Sequence, residues 1–261
     1  MPLPRALIIT SLITVPPAYY VYTTINRLEA KYPRLHSEAA STVALRTPSF
    51  PVTHHTPHVD VYGGTVPVKV LQEQHGPDGR KLSLEEAWAK VFMQSPTLRL
   101  EGRLFGGFSS SPGDIGDHGF HVKQKLLNGG LEVVRPPTEP SALFLRSLSQ
   151  PTPLLVKWTF PVQAVAFVRK AAIDWGYPWR FMSGGRHEFS VGQADRNGMV
   201  EVRFGTAHDY EYIKDEGNNQ KTIPQWTARL HRAYAMWLLD ERIEALKKAA
   251  ADAEPQDSKS S

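Results

Sequence analysis

Two runs of alternating apolar and polar residues near the C-terminus carry the clearest structural signal in the chain. They cover residues 186–191 and 199–213, and the turn-forming pair Asn197-Gly198 lies between them. In an extended strand alternate side chains share one face. The pattern therefore predicts an antiparallel hairpin with two distinct faces.

The two faces of this hairpin differ sharply in composition. One is aromatic and apolar, with His187, Phe189, Val191, Val200, Val202, Phe204, Thr206, His208, Tyr210 and Tyr212. The other is charged, with Arg186, Glu188, Ser190, Glu201, Arg203, Asp209 and Glu211. We expect the charged face to lie in water and the aromatic face to be covered by another element.

The predicted cover is a long helix over residues 224–251. Pro224 suits its first position, where a missing amide donor costs nothing. One broad apolar stripe is expected to be buried, formed by Trp226, Leu230, Tyr234, Trp237, Leu238, Leu239, Ile243 and Leu246. The tail 249–261 has no apolar residue other than alanine and is predicted to be disordered.

The middle of the chain predicts further strands and one helix. Ser83 is a good N-cap for a helix that ends at Pro96 and buries Ala87, Trp88, Val91 and Phe92. Alternation and turn residues predict strands at 58–70, 98–105, 120–127, 130–134, 142–148 and 154–160. The pattern leaves 163–174 open between helix and strand, and 106–119 reads as a glycine-rich loop.

The N-terminal segment is apolar and uncharged over residues 6–25, about the length that spans a bilayer. This favours a transmembrane anchor within residues 1–35, over a targeting segment or a helix packed on the domain. Basic residues dominate just after the run, which predicts a cytosolic main domain at 58–248. Residues 36–57 lack periodicity and are interpreted as a linker.

Composition narrows the function classes. The 30 Lys and Arg residues against 26 Asp and Glu give a net charge of +4 without a basic run, so no nucleic acid partner is expected. The absence of cysteine excludes disulfides, thiolate metal sites and cysteine nucleophiles. Length and composition favour one domain, and its predicted strands and helices make it an α+β domain.

The order of these elements resembles a known fold. A short strand and helix, then antiparallel strands, then one long C-terminal helix is similar to the helix-grip fold of the START-like superfamily. The blocks 184–191 (GGRHEFSV), 202–209 (VRFGTAHD) and 224–234 (PQWTARLHRAY) resemble an uncharacterised branch found in fungi, plants and bacteria. The resemblance implies a sheet that curls around the terminal helix with a cavity between them, and transfers no catalytic residue.

Metal and cofactor motifs are weak. His54, His55 and His58 precede Asp60, and His118 and His121 lie on the glycine-rich loop, but neither group has a rigid element to fix its geometry. Both are interpreted as solvated, and no metal or cofactor is expected. The chain also lacks the Gly-x-Ser-x-Gly and His-Glu-x-x-His motifs of common hydrolases.

The aromatic face supplies the candidate site residues. His187, His208 and Tyr210 are candidates for proton transfer, with a core histidine bonded to backbone as the alternative reading. The predicted ligand-binding residues are Phe189, Val202, Phe204, Tyr212, Trp226, Tyr234 and Trp237.

Three functions follow from this interpretation. The favoured one is binding of a lipid or an apolar biosynthetic intermediate in an internal cavity close to a membrane. The second is a cofactor-free cyclase or isomerase acting on a polyketide- or terpenoid-like intermediate of fungal secondary metabolism. The third is a membrane-bound interaction or assembly protein with a simply packed sheet.

Overall fold

One antiparallel sheet forms the frame of the protein. The computed structural model describes residues 5–137 and 152–253, with side chains from residue 17 onward. The strands are β1 His54–Pro67, β2 Lys125–Leu126, β3 Leu131–Arg135, β4 Leu154–Thr159, β5 Gly184–Val191 and β6 Met199–Glu211. They form a six-stranded sheet in the order β1-β6-β5-β4-β3-β2. The predicted strand at 142–148 falls outside the described residues.

Eight α-helices surround the sheet in the described part of the chain. They are α1 Arg5–Lys31, α2 Ser37–Ala40, α3 Val43–Arg46, α4 Val68–Gln72, α5 Leu84–Met93, α6 Pro96–Phe105, α7 Val162–Asp174 and α8 Gln225–Ala253. The α+β class, the antiparallel sheet and the long C-terminal helix are therefore confirmed.

The predicted hairpin is present. Strands β5 and β6 pair antiparallel, with His187 opposite Thr206 and Phe189 opposite Phe204. Gly198 in the connecting turn has φ 72, a left-handed value that glycine adopts at no steric cost. The register puts the predicted aromatic residues on one face, because paired residues project to the same side of a sheet.

The helix after Ser83 also agrees with its prediction. The Ser83 side chain accepts a hydrogen bond from the backbone N–H of Glu86 and so caps α5. The predicted stripe is buried, with Trp88 and Phe92 both fully enclosed. Capping and helical period are both local signals, and here they indicate the same helix.

The stretch at 98–105 is helix α6, so its prediction as a strand is wrong. Ser95 caps this helix by accepting from the N–H of Leu98, and Pro96 occupies its first turn. The apolar residues of this stretch fit the period of a strand as well as that of a helix. The N-cap Ser95 and the following Pro96 favour the helix. The predicted strand at 120–127 is reduced to β2, whereas the undecided stretch at 163–174 falls within α7.

Helix α8 covers the inner face of the sheet, the face that carries His187 and Phe189, with only part of the predicted stripe. Its buried residues are Ala233, Ala235, Met236, Leu238, Leu239, Ile243 and Leu246. Trp226 is 63% exposed, Leu230 43% and Trp237 38%. The predicted stripe is thus confirmed at Leu238, Leu239, Ile243 and Leu246. It is wrong for Trp226, Leu230 and Trp237, because the buried side of α8 is centred on Ala235, Leu239 and Ile243 rather than on its largest aromatic residues.

The outer face of the sheet is covered as well. Arg186, Glu188 and Asp209 are all at least 95% buried, so the prediction that they lie in water is wrong. The covering segment carries α2 and α3, from the stretch interpreted as a linker. Leu45 of α3 packs there in a small apolar cluster with Val61, Leu155 and Ala207.

Helix α1 is tied to the rest of the protein at its C-terminal end. Leu28 and Tyr32 are buried in the main core, and Lys31 and Arg229 form ion pairs with Asp240 and Glu29 across the α1–α8 contact. In the described chain no helix combines the length and the apolarity needed to cross a bilayer. The transmembrane prediction is therefore wrong; prolines, hydroxyl side chains and three tyrosines dilute the apolar run.

Candidate functional site

A cavity of about 590 Å³ lies between the inner face of the sheet and helices α5, α6 and α8. A molecule of about 20 non-hydrogen atoms would fill it, if each takes the ~30 Å³ of a water molecule in the liquid. Its wall is mainly apolar and includes Phe92, Leu98, Phe105, Phe189, Phe204 and Leu238. This size and lining are those of small-molecule sites.

Three phenylalanine rings form the rigid part of this wall. Phe92 of α5 contacts Phe189 at 4.9 Å and Phe204 at 4.6 Å between ring centroids, and Phe189 stacks on Phe204 at 5.2 Å. Because each ring is fixed by the other two, this part of the cavity is preformed. Two predicted ligand-binding residues, Phe189 and Phe204, therefore line the cavity.

His187 is the predicted catalytic residue that reaches the cavity wall. Burial, together with the nearby His231, lowers its pKa to about 3. The imidazole is therefore neutral at physiological pH. Its Nδ1 atom is buried and has no hydrogen-bond partner among the described residues.

His208 lies behind the wall, in contact with His231 at 4.5 Å between ring centroids. It is 3% exposed, and burial lowers its pKa to about 2. Tyr210 is enclosed in a separate cluster with Met182 and Ile223, where its hydroxyl accepts from the N–H of Ile223 at 3.3 Å. The three predicted catalytic residues thus occupy three different environments.

The remaining predicted ligand-binding residues are divided between wall, core and surface. Tyr234 lines the cavity, whereas Val202 is fully buried in the core outside the lining. Tyr212 is half exposed, and Trp226 and Trp237 lie on the outward side of α8. The strand period correctly put Phe189 and Phe204 on the face that lines the cavity. It does not show which residues of that face lie beyond the edge of the cavity, as Val202 and Tyr212 do.

Sequence reasoning missed an acidic residue in the wall. Glu101 of α6 lines the cavity, and its carboxylate accepts a hydrogen bond from the Tyr234 hydroxyl at 2.7 Å. Burial raises the pKa of Glu101, and the bond from Tyr234 only partly opposes this. A helical reading of 98–105 would have placed Glu101 near the buried Leu98, because residues three apart share a helix face.

His231 and Trp158 were also missed as wall residues. Each carries a buried ring nitrogen, Nε2 of His231 and Nε1 of Trp158, without a hydrogen-bond partner in the described chain. Both residues line the cavity beside His187. No sequence pattern marks them, because β4, β5 and α8 meet only in the tertiary structure.

The histidine groups considered for metal binding do not converge. His54, His55 and His58 belong to β1, and His118 and His121 are exposed on a loop. Within the described ranges, no cluster of three or more potential ligands has the geometry to hold a metal ion. The cavity is therefore the candidate site.

Replacing His208 by glutamine should change the pH dependence of stability. A buried histidine with a lowered pKa stays neutral when folded, but takes up a proton when unfolded below about pH 6.5. The contribution of His208 to the free energy of unfolding is therefore complete well above pH 6.5. Well below that pH it falls by about 1.4 kcal/mol per pH unit. We expect the stability difference between wild type and His208→Gln to shrink by about 1 kcal/mol from pH 6.5 to 5.5, because the unfolded histidine is already half protonated at pH 6.5.

The difference between the two proteins isolates this histidine. Buried Glu85, Glu101 and Glu188 have raised pKa values, and each contributes in the opposite direction as pH falls. Those contributions cancel when the variant is subtracted from the wild type in urea unfolding at each pH. A difference that stays constant from pH 7.5 to 5.5 would contradict a neutral, enclosed His208.

Comparison with protein-family models, with curated proteins and with solved structures found no significant match to this chain.

Proposed function

We propose that this protein binds a hydrophobic small molecule in the cavity between its sheet and α8. The observation that carries the proposal is the preformed, mainly apolar space of about 590 Å³. The cavity is open to solvent on one side, where the exposed rings of Phe105 and Phe160 line it. A concave, mainly apolar and preformed space of this size is typical of small-molecule sites.

The helix-grip architecture and a relationship to START-like proteins belong to the same proposal. The long C-terminal helix lies on the inner face of an antiparallel sheet, and a cavity separates part of the two. That arrangement supports the resemblance drawn from the order of elements. It also weighs against a mere assembly protein, for which a closely packed sheet was expected.

Filling the cavity should abolish ligand capture. Ala235 lies on α8 in the cavity wall, so Ala235→Phe would place a ring in the ligand space. We expect the full-length wild-type protein to retain a hydrophobic compound through purification, detected by mass spectrometry of an organic extract. The variant should retain at least about tenfold less, which corresponds to a loss of about 1.4 kcal/mol.

The matched control is Ala245→Phe, which adds the same ring at an exposed position of the same helix. It should retain as much compound as the wild type. Melting curves of all three proteins would show whether Ala235→Phe remains folded, since overpacking can cost about 1–3 kcal/mol. Equal extracts from the two folded variants, or no compound from the wild type, would oppose the proposal.

A second candidate function is a cofactor-free cyclase or isomerase. The observation that favours it is the buried carboxyl of Glu101, hydrogen-bonded to Tyr234 in the cavity wall. Burial raises the pKa of Glu101 towards neutrality, the direction that makes a carboxyl useful for proton transfer. Glu101, Tyr234 and His187 line the cavity, whereas His208 and Tyr210 do not, so proton transfer is proposed for the first three.

The proposal includes contact of α1 with the surface of a lipid bilayer, without a segment that crosses it. Tyr19, Tyr20 and Tyr22 of α1 are each more than half exposed. Tyrosine is enriched where a protein meets the polar boundary of a bilayer. These side chains support surface contact by α1 near the source of an apolar ligand.

A further inference from the structure

The cavity wall has almost no formal charge. Among its described residues Glu101 is the one acid, and none is aspartate, lysine or arginine. The carboxylate of Glu101 is already bonded to Tyr234. The lining histidines, His187 and His231, stay neutral near pH 7 because burial lowers the pKa of each. The described wall therefore offers no cation to an anionic ligand.

Three ring side chains of the wall, Trp158, His187 and His231, carry polar atoms that no other described residue satisfies. Trp158 stacks with His187 at 6.1 Å between ring centroids, and all three line the cavity. Each contributes a buried ring nitrogen without a hydrogen-bond partner in the described chain. Buried polar atoms in folded proteins are nearly always paired. We call this group the indole–imidazole edge.

The chemistry of these nitrogens restricts what can pair with them. An indole N–H only donates, and a neutral imidazole has one donor and one acceptor nitrogen. The partner of Trp158 must therefore be an acceptor, which excludes an ammonium group. A carboxylate could accept, but its burial without a cation is costly. An uncharged oxygen satisfies both conditions.

We propose that the ligand is an uncharged amphiphile whose oxygen group, an ester, ketone or alcohol, binds at the indole–imidazole edge. Its apolar body then lies against Phe92, Phe189 and Phe204. The inference rests on the proposed function and adds to it the chemical class of the ligand. It predicts a preference that cavity volume alone would not give.

A series of probes with one chain and four head groups tests this preference. The full-length protein is loaded with the neutral dye Nile red, which is then displaced by dodecanol, methyl dodecanoate, dodecanoate or dodecylamine at neutral pH. We expect the two neutral probes to bind at least about tenfold more tightly than the two charged ones. Equal or tighter binding of dodecanoate overturns the inference, and preference for dodecylamine would assign Glu101 as a cation site instead.

A variant locates the head group. Trp158→Phe removes the indole N–H and keeps an aromatic ring, so methyl dodecanoate should bind about three- to tenfold more weakly, the loss of one hydrogen bond. Trp175→Phe makes the same exchange at a residue that is 69% exposed and should change nothing. If Trp158→Phe does not fold, His231→Phe provides the same test. Unchanged affinity in the folded variant overturns the role of this edge.

The two proposals fail differently. If Nile red does not bind the wild type, or binds Ala235→Phe equally well, the proposed function falls and this inference falls with it. If Nile red binds in the cavity and all four probes displace it equally, hydrophobic binding stands and the head-group preference alone is lost.

Discussion

Replacing Arg186 by methionine is expected to lower the free energy of unfolding by about 3–5 kcal/mol. The guanidinium is almost fully enclosed and forms an ion pair with Asp209. It also donates to the carbonyl of Leu45 at 3.0 Å and to the hydroxyl of Thr56 at 3.1 Å. Without Arg186 the carboxylate of Asp209 remains buried with no opposite charge, which is the costly half of a broken ion pair.

Urea unfolding measures this loss, and two further variants identify its cause. Arg203→Met removes a more exposed arginine that pairs with Glu201 on the same strand, and should cost about 1 kcal/mol or less. Adding Asp209→Leu to Arg186→Met should restore part of the stability, because no unpaired buried charge then remains. If Arg186→Met costs no more than Arg203→Met, the outer face is open to water after all.

This ion pair shows where inference from the sequence reached its limit. Alternation along 186–191 correctly assigned Arg186 and Glu188 to one face, because strand period is a local property. Whether that face meets water depends on what packs over it. The cover is two helices of four residues each, α2 and α3, and elements so short have no hydrophobic period to detect.

The covering segment is fixed to the sheet by polar contacts rather than by a large apolar face. Thr42 donates its backbone N–H to Glu188 at 3.0 Å, and Ser49 donates its backbone N–H to Asp209 at 3.2 Å. Arg135 of β3 donates to the hydroxyl of Thr42 at 3.3 Å. The composition of the segment, rich in serine, threonine and proline, concealed this role because the same residues are typical of linkers.

The residues of the candidate site also fall into those that local sequence pattern predicts and those that tertiary packing determines. His187, Phe189 and Phe204 were predictable because strand period fixes their face and the hairpin turn fixes their register. Trp158, Glu101 and His231 were not, because each reaches the cavity through the packing of β4, α6 or α8. The orientation of α8 matters most, since turning it to bury Trp226 and Trp237 would move His231 away from its place in the cavity wall.

A comparison of two tryptophans tests the packing that sets this orientation. Trp88 of α5 is fully buried, its indole N–H donates to the carbonyl of Arg203 at 2.9 Å, and its ring contacts Phe92. Trp88→Ala should therefore cost about 3–5 kcal/mol, since it leaves a cavity in the core. Trp226→Ala should cost about 1 kcal/mol or less, because that side chain of α8 is 63% exposed.

Thermal unfolding distinguishes these outcomes directly. A loss of 3–5 kcal/mol lowers the Tm of a domain of this size by roughly 6–20 °C, whereas 1 kcal/mol lowers it by roughly 2–4 °C. A large loss for Trp226→Ala would mean that α8 is turned towards the stripe of its largest residues. His231, Tyr234 and Ala235 reach the cavity from the same helix. Such a result would therefore also remove His231 from the indole–imidazole edge and the Tyr234–Glu101 hydrogen bond from the site. The stability of one surface tryptophan variant thus tests the geometry on which the ligand proposals depend.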